Sequence, residues 1–330
     1  MRRLTSVWAV VALLVVAISL PAGATVDGDN GRIAFRKYLN NAQTRGAIFT
    51  VRPGGSGLDQ LTHPPRGVIT TEPDWSPNGR WIVYHREDAS GGRIFKIRRD
   101  GTHRTYLSQT CTRGCLTENG AFPAWSPHGK RIAFQRDSCS TGATNLLTIY
   151  VMRADGTHVR RVTQKSATCA TPHPVESHAP QWAPDGNRLT FERLNHNREK
   201  HAVFTVRLDG TGLRRLTPWR MDASQPDWSP NGRWIAFRTH EQSETRGNIA
   251  LVHPDGTGLH LITHGGNERK WLSCSFSPNG KRITAARVPG SGDTDKADVY
   301  TMKLDGSERT SITLSTDTWE SAPDWGPRRR

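Results

Sequence analysis

Short apolar segments alternate with turn residues along nearly the whole chain, and the pattern repeats about every 50 residues. Residues 73–84, PDWSPNGRWIVY, show the unit: an apolar segment, the turn Ser-Pro-Asn-Gly and a second apolar segment from Trp81. Arg93–Arg98 then alternates apolar and polar residues, an Asp-Gly pair at 100–101 favours a tight hairpin turn, and Thr105–Ser108 ends the unit. Each unit therefore predicts four short antiparallel β-strands.

Further copies begin at Pro123, Pro180, Pro226 and Cys274, with spacings of 46 to 57 residues. A sixth copy is split between NGRIAF near the start of the chain (Asn30–Phe35) and PDWGP at its end (Pro323–Pro327). A repeat of this length that is cut in two by the termini indicates a closed ring of similar units. The predicted fold is all-β: a six-bladed β-propeller of four-stranded antiparallel blades, closed by N- and C-terminal strands that share one blade.

In the shared blade, three strands from Ile33, Ala47 and Leu58 are expected to pair with an innermost strand at Pro323–Trp325, which leaves no free sheet edge. One aromatic residue recurs per inner strand and is expected to pack between blades: Trp75, Trp125, Trp182, Trp228, Phe276 and Trp325. The third strand repeats a large apolar residue, at Phe49, Phe95, Tyr150, Phe204, Leu251 and Tyr300. The fourth repeats an aliphatic residue followed by a hydroxyl residue, as in Leu61-Thr62. The unit from Cys274 carries Ala285 where the others have Phe or Tyr, and it is predicted to be the least stable blade.

Residues 1–24 are interpreted as a secretory signal peptide, because two arginines precede an apolar run and Ala22-Gly23-Ala24 offers small residues for cleavage. The mature chain, 25–330, is then a single propeller domain that is exported, either secreted or associated with the periplasm or cell envelope, and not transmembrane. Removing the segment takes away two arginines and no acid, so the net charge changes from +15 to +13. Such a charge favours anionic partners, but the basic residues are scattered and no specific nucleic-acid site is expected.

The repeat resembles the PD40 (WD40-like) repeat of TolB-like propellers, over essentially all of residues 30–327. TolB itself joins its propeller to an N-terminal α/β domain, which the few residues between Thr25 and Asn30 cannot supply. The resemblance implies a protein-interaction platform. Similar propellers also accompany hydrolase domains, and some PD40-like propellers are uronate lyases that use channel histidines and a metal.

Connections alternate between two faces of such a ring. The Ser-Pro-x-Gly and Asp-Gly turns lie on one face, which we call the short-turn face, and the longer, dissimilar connections lie on the other, the long-loop face. The predicted long loops are Arg136–Asn145, Arg193–Lys200, Thr239–Gly247 and Val288–Lys296 within blades, and Gln109–Phe122 and Gln164–Ala179 between blades. Variable loops on a rigid scaffold commonly carry function, so this face is the expected binding face.

Four cysteines fall in these loops and are disulfide candidates: Cys111, Cys115, Cys139 and Cys169. The preferred pairing is Cys111–Cys115 with Cys139–Cys169, although four cysteines allow three connectivities and a zinc site is the alternative. Cys274 replaces the repeat's proline on an inner strand and is expected to be a buried free thiol.

The residues just before each inner strand, most of them acidic, are expected to surround the mouth of the central channel. The candidate ligand-binding residues are Glu72, Glu118, Glu176, His178, Asp222, Glu268 and Glu320. This ring could bind a cation such as Ca²⁺ or a basic group of a peptide, or the acids could simply cap turns and offset neighbouring arginines. No cofactor is otherwise expected.

Catalytic signatures such as Gly-x-Ser-x-Gly, His-Glu-x-x-His and the Walker loop are absent from the sequence. The leading hypothesis is therefore a non-enzymatic module, expected to be monomeric, that binds a protein, a peptide or an anionic cell-envelope polymer. The alternative is a metal-assisted lyase or hydrolase acting on an anionic polysaccharide, with His178 as its key residue.

Overall fold

The computed structural model describes residues 28–107, 120–138, 146–164, 175–240, 247–264, 270–288, 296–314 and 318–328. The described residues form 24 β-strands and one 3₁₀ turn at Trp219–Met221. The predicted signal peptide and the four loop cysteines lie outside the described residues. Within the described ranges, no helix has the length and apolar character needed to cross a membrane.

The strands form six antiparallel blades, each written here from its inner to its outer strand. Blade 1 contains β24 (Glu320–Pro327), β1 (Asn30–Tyr38), β2 (Gly46–Val51) and β3 (Asp59–Gln60). Blade 2 contains β4 (Ile69–Trp75), β5 (Trp81–Asp88), β6 (Gly91–Arg98) and β7 (Thr105–Tyr106). Blade 3 contains β8 (Gly120–Trp125), β9 (Arg131–Asp137), β10 (Leu147–Arg153) and β11 (Arg160–Arg161).

Blade 4 contains β12 (Val175–Trp182), β13 (Arg188–Asn195), β14 (Lys200–Arg207) and β15 (Arg214–Arg215). Blade 5 contains β16 (Ser224–Trp228), β17 (Ile235–Thr239), β18 (Asn248–Val252) and β19 (His260–Leu261). Blade 6 contains β20 (Lys270–Phe276), β21 (Arg282–Val288), β22 (Asp298–Lys303) and β23 (Thr310–Ser311).

The predicted closure of the ring is confirmed. β24, at the end of the chain, pairs antiparallel with β1, with Trp325 opposite Ile33 and Glu320 opposite Lys37. Asp324 of β24 also accepts a hydrogen bond from the Trp75 backbone N–H of blade 2 at 2.8 Å. The C-terminal segment therefore supplies the inner edge of blade 1 and its contact with the next blade.

Apolar packing lies between blades, as the repeated aromatic positions predict. Each junction between neighbouring blades holds one large apolar cluster, such as Phe134 and Trp125 packed on Val83 of the preceding blade. The six inner-strand aromatic residues are at most 6% exposed. Because both surfaces of every blade are covered, a position that repeats in the sequence serves this shared packing.

The repeated hydroxyl on the fourth strand has a specific bonding role. The Ile48 N–H donates to Thr62 Oγ1 at 2.8 Å, so the threonine side chain continues the ladder where β3 ends. Four further blades repeat this bond at 2.9 Å, from Ile149 to Thr163, Val203 to Thr217, Ile249 to Thr263, and Val299 to Thr313. A side-chain bond thereby lengthens a fourth strand of only two residues.

One expectation about the repeat needs correction, and one gains a structural detail. The ladder of blade 5 places Ala250 opposite Phe237, and Leu251 opposite Ala236, so Ala250 and not Leu251 occupies the third-strand aromatic position. In blade 6, Trp271 is 1% exposed and packs edge-on against Tyr300. Because Trp271 belongs to the same cluster as Ala285, it fills space that an aromatic residue fills in other blades. The relative stability of blade 6 remains a prediction.

Candidate functional site

The inner strands surround the central channel, and each contains a β-bulge at the repeat's proline. The ladder shifts register there in every blade, for example between Thr71 and Asp74 of β4. In five blades the residue before the proline has a positive φ of 45° to 52°: Glu72, Phe122, Ala179, Gln225 and Ala322. Such a conformation is strained for residues other than glycine, so surrounding contacts must hold it. The sixth bulge, next to Cys274, has no such residue.

Side chains of the preceding blade hold several of these bulges. The Ala179 N–H donates to Gln135 Oε1 at 3.0 Å, and the Gln225 N–H donates to Glu192 Oε2 at 2.7 Å. The Ala322 N–H donates to Ser273 Oγ at 3.0 Å. The strained bulges therefore point amide groups toward the neighbouring blade, where a polar side chain accepts them.

Three aspartates form a second set of contacts between blades at the channel. Asp324, Asp74 and Asp227 each accept the backbone N–H of the next blade's aromatic residue, at 2.8, 2.7 and 2.6 Å. Ala124 and Gln181 occupy the equivalent positions of blades 3 and 4. The sequence analysis missed these aspartates, although the Asp of Pro-Asp-Trp recurs in these blades and could have identified them.

The channel narrows to a cavity of about 80 Å³ beside these aspartates. It is lined by the bulge residues, by the repeat's prolines with Cys274, and by Asp74, Gln181, Asp227, Ser275 and Asp324. Burial raises the pKa of Asp324 to about 6, and burial together with the charge of Asp324 raises the pKa of Asp74 well above its usual range. Cys274 is a buried free thiol, as expected, and burial and the charge of Asp227 raise its pKa.

The predicted channel-mouth residues occupy different places from those expected. Glu72 lies in β4 and lines the channel cavity, whereas Glu176 and His178 lie within β12 and Glu320 begins β24. The expected loop Gln164–Ala179 is shorter than predicted, because the ladder with β13 continues through these polar residues from Val175. Asp222 follows the 3₁₀ turn with φ 48°. Glu118 and Glu268 lie outside the described residues.

Each described acid of this set has a basic partner in contact. Glu72 Oε2 lies 3.3 Å from His85 Nδ1, and Glu320 Oε1 lies 3.0 Å from Lys37 Nζ. Burial raises the pKa of Glu320 despite the charge of Lys37. These acids are distributed over several blades, each beside its own basic side chain.

Blade 4 brings two histidines to one carboxylate. Glu176 Oε2 lies 3.4 Å from His178 Nε2 and 3.5 Å from His196 Nε2. Burial alone would raise the pKa of Glu176, but contact with these two histidines lowers it. In the described part of the chain, no group of three or more His, Cys, Asp or Glu side chains is arranged to hold a metal ion.

Asp222 connects blades 4 and 5. Its Oδ1 accepts the His201 N–H at 2.7 Å and lies 2.9 Å from His201 Nδ1, while Oδ2 lies 3.2 Å from Lys200 Nζ. Although burial alone would raise it, these contacts hold the pKa of Asp222 well below its usual range. Nearby, His240 Nε2 lies 3.0 Å from Ser224 Oγ, and burial with the charge of Arg238 lowers the pKa of His240 to about 4.

The short-turn face is built from polar side chains that bond within their own turns. Ser76 Oγ accepts the Trp81 N–H and donates to Asn78 Oδ1, both at 2.9 Å. Thr102 donates both its N–H and its hydroxyl to Asp100 Oδ1, and the Asp-Gly turns at 155, 209, 255 and 305 repeat this pattern. These groups stabilise turns and repeat with little change around the ring.

Basic residues recur where the second strand of each blade approaches the long-loop face. The position two residues after the strand's aromatic residue (Ala285 in blade 6) is basic in five blades: Lys37, Arg86, Arg136, Arg193 and Arg287. Arg136, Arg193 and Arg287 lie over the third-strand rings of Tyr150, Phe204 and Tyr300, at 5.3 to 5.7 Å. The sequence analysis missed this position, which Phe-x-Arg and Phe-x-Lys repeats could have revealed.

A second cavity, of about 630 Å³, lies between blades 1 and 2. It is lined by Leu61, His63, Tyr84, Phe95, Arg86 and Arg104, among others. Burial raises the pKa of Tyr84 to about 12, so the phenol is neutral there.

Comparison with solved structures finds the same fold at low sequence identity. TolB from Acinetobacter baumannii superposes with a TM-score of 0.68 at 20% identity, covering 90% of this chain and 67% of that one. A putative TolB from Agrobacterium tumefaciens gives 0.63 at 18%, covering 90% and 99%. An oligogalacturonate lyase in complex with manganese gives 0.50 at 14%, covering 87% and 74%. These likenesses establish the fold alone.

Comparison with curated proteins gives no match. The family model described as PD40, the TolB beta propeller domain, matches residues 113–329. This range includes four complete blades and the closing strand β24. The chain therefore belongs to the PD40 TolB β-propeller family.

Proposed function

We propose that the chain is an exported, non-enzymatic binding module that holds a protein, a peptide or a cell-envelope polymer on its long-loop face. The observation that carries this proposal is the difference between the two faces. On the short-turn face, the turn side chains bond to their own turns in the same way around the ring. The long-loop side carries a different charged set in each blade, including Glu72–His85, Glu176 with two histidines, and Asp222–Lys200.

A surface that varies from blade to blade on a constant scaffold suits selective recognition, because variation there does not disturb the packing. The TolB structures from Acinetobacter and Agrobacterium share this scaffold. The net charge of +13 that is left after removal of residues 1–24 adds long-range attraction for anionic partners.

Capture from cell-envelope extracts tests the proposal. The immobilised wild type is compared with Glu72→Gln/Glu176→Gln/Asp222→Asn, which changes the long-loop side, and with Asp100→Asn/Asp155→Asn/Asp255→Asn on the short-turn face. The two triple variants carry the same charge change, and Asn-Gly preserves the hairpin turn. We expect the first variant to differ from the wild type in how much partner it captures and the second to capture as the wild type does. Equal capture by all three proteins would contradict the assignment of the face.

Because Asp222 is tightly bonded, the first variant must retain the wild-type circular dichroism spectrum. Glu72→Gln alone provides a milder test at the channel. The competing prediction from the sequence, a metal-assisted lyase or hydrolase, is distinguished by metal analysis of native protein and by His178→Ala. Stoichiometric metal that is lost in His178→Ala, together with polysaccharide cleavage, would replace the binding proposal.

A further inference from the structure

The repeat places a pair of arginines in two of the clefts between blades. In the cleft between blades 1 and 2, Arg36 follows Phe35 on β1, and Arg86 lies two residues after Tyr84 on β5. In the cleft between blades 5 and 6, Arg238 follows Phe237 on β17, and Arg287 lies two residues after Ala285 on β21. The two pairs occupy identical positions of the repeat, so each cleft is a natural control for the other.

Within the blade 1–2 cleft, both arginines have partners. Arg36 Nη1 donates to Thr71 Oγ1 at 3.3 Å, and Nη2 donates to Ser321 Oγ. Arg86 forms an ion pair with Asp88. Thus hydroxyl and carboxylate oxygens from blades 1 and 2 accept hydrogen bonds from both guanidinium groups.

Among the described residues of the blade 5–6 cleft, the corresponding partners differ. In the aligned sequence, Leu272 corresponds to Thr71, and Pro289 corresponds to Asp88 of blade 2. Ser224 occupies the position equivalent to Ser321, but the Ser224 hydroxyl lies 3.0 Å from His240 Nε2. The substitutions remove or redirect each acceptor while both arginines remain.

As a result, the Nε atoms of Arg238 and Arg287 are buried without a hydrogen-bond partner in the described part of the chain, although each side chain remains partly exposed. Arg36 Nε is also unpartnered, but the Nη atoms of that residue are bonded. The carboxylates of Glu192 and Asp222 interact electrostatically with Arg238. Each already accepts a backbone amide, from Gln225 and His201 respectively.

Neighbouring groups fix the arginines in place. The Arg287 guanidinium carbon lies 5.5 Å from the ring centroids of both Trp271 and Tyr300. Arg238 Nε lies against the backbone of Gly247, where a Cβ would approach it to 3.2 Å. A planar guanidinium held by its neighbours is preorganised for paired hydrogen bonds to an oxyanion. Leaving such a group partly desolvated and unpaired costs free energy that an anionic ligand would recover.

We propose that the blade 5–6 cleft binds a carboxylate side chain from an acidic peptide segment of a protein partner, through Arg238 and Arg287. This inference rests on the proposed binding function and names the chemistry of its partner. Packed sheets lie roughly 10 Å apart, so the cleft between two blades admits a side chain more readily than a polymer backbone. Asp and Glu carry their charge on a flexible stem that reaches a recessed group, whereas a phosphodiester carries it between two bulky substituents.

Fluorescence anisotropy with a labelled hexaglutamate peptide tests this at low ionic strength, with hexaglutamine as the uncharged control. Arg238→Gln and Arg287→Gln are compared with Arg86→Gln, which removes the same charge from the other cleft. We expect each of the first two to weaken hexaglutamate binding about tenfold or more, as hydrogen bonds to charged groups imply, and Arg86→Gln to change it less than about twofold. Equal weakening by all three would show a diffuse charge effect and overturn the site.

Binding of polyphosphate and of phosphatidylglycerol vesicles is measured alongside, as alternative anionic ligands. Tighter binding of either probe than of hexaglutamate, with the same dependence on Arg238 and Arg287, would reject the peptide partner. If either glutamine variant unfolds, Arg287→Lys provides a second test, because lysine keeps the positive charge but lacks the paired N–H donors of the guanidinium group. We expect Arg287→Lys to weaken hexaglutamate binding and to leave the melting temperature unchanged. If envelope partners are captured on the long-loop face while wild type does not bind hexaglutamate, this inference fails and the proposed function stands.

Discussion

The blade 1–2 and blade 5–6 clefts carry arginines at the same positions of the repeat but surround them differently. In the first, Ser321, Thr71 and Asp88 accept their hydrogen bonds, and Arg36 joins the two blades. In the second, the corresponding residues are Ser224, which bonds to His240, Leu272 and Pro289. A repeated residue can therefore stabilise the fold in one blade and, as we propose, be available to a ligand in another.

The largest expected effect comes from weakening β24, the inner strand of blade 1, which carries Ser321 of the blade 1–2 cleft. Trp325 of β24 is 2% exposed and packs with Ile33 and Phe35. We expect Trp325→Ala to lower the free energy of unfolding by about 3–5 kcal/mol, as removal of a large buried side chain does. Urea unfolding followed by circular dichroism measures this change.

Leu314→Ala is the control, because Leu314 is 86% exposed and its removal should leave the unfolding midpoint unchanged. An unaltered midpoint in Trp325→Ala would mean that the C-terminal strand does not close the ring, and the blade 1–2 cleft would lose its structural basis.

A smaller effect on stability is expected from a substitution at Ala285, which lies two residues before Arg287 on β21. Ala285 is fully buried in the cluster that contains Trp271, so a larger side chain has no free space. We expect Ala285→Phe to destabilise the protein by about 1–3 kcal/mol through overpacking, although it restores the residue type of other blades. Calorimetry of Ala285→Phe, Trp271→Ala and the double variant checks this.

In the double variant, the new Phe side chain can occupy space left by Trp271. The double variant should therefore lose less stability than the sum of the losses in the two single variants. A gain of stability in Ala285→Phe alone would instead support the expectation that blade 6 is weak because it lacks this aromatic residue.

The smallest expected effect is a pH dependence at the aspartates between blades. Burial raises the pKa of Asp324 to about 6, so the folded state binds this proton more tightly than the unfolded state does. Its contribution to stability is therefore full below about pH 4 and is lost as the pH rises through about 6, with a slope of at most about 1.4 kcal/mol per pH unit.

Asp324→Asn can still accept the Trp75 N–H but cannot titrate. We expect the difference in unfolding free energy between wild type and Asp324→Asn to shift in favour of wild type as the pH falls from 7 to about 4. Parallel urea titrations at several pH values measure it. A difference that is constant with pH would show that the two states bind this proton equally.

The sequence predicted the fold and its closure, because a period near 50 residues and a split copy leave few alternatives. It also located the short turns and the buried thiol of Cys274. The channel lining was harder to predict from the sequence. Asp74, Asp227 and Asp324 were read as part of a repeated motif, and their hydrogen bonds to the next blade form only in the closed ring. Glu176 and His178 were assigned to a loop because polar residues resemble loop sequence, whereas the backbone ladder extends through them.

The arginine clefts needed both the repeat and the structure. Alignment of the residues that follow each second-strand aromatic position would have revealed Arg36, Arg86, Arg238 and Arg287. Sequence alone could not show which arginines have partners, because Ser321 and Thr71 reach Arg36 from separate strands. The difference between the clefts appears only when the blades are placed side by side.

Urea unfolding of two matched double variants tests the contrast between the clefts most directly. We predict that Arg36→Gln/Arg86→Gln lowers the free energy of unfolding by about 2–4 kcal/mol, since it removes charged hydrogen bonds and leaves their acceptors unpaired. Arg238→Gln/Arg287→Gln should change it by less than about 1 kcal/mol, because no described hydrogen-bond partner is lost and only the contact of Arg287 with the two rings is removed. Equal destabilisation by both, or a larger loss in the second variant, would show that the blade 5–6 arginines are structural and contradict the account.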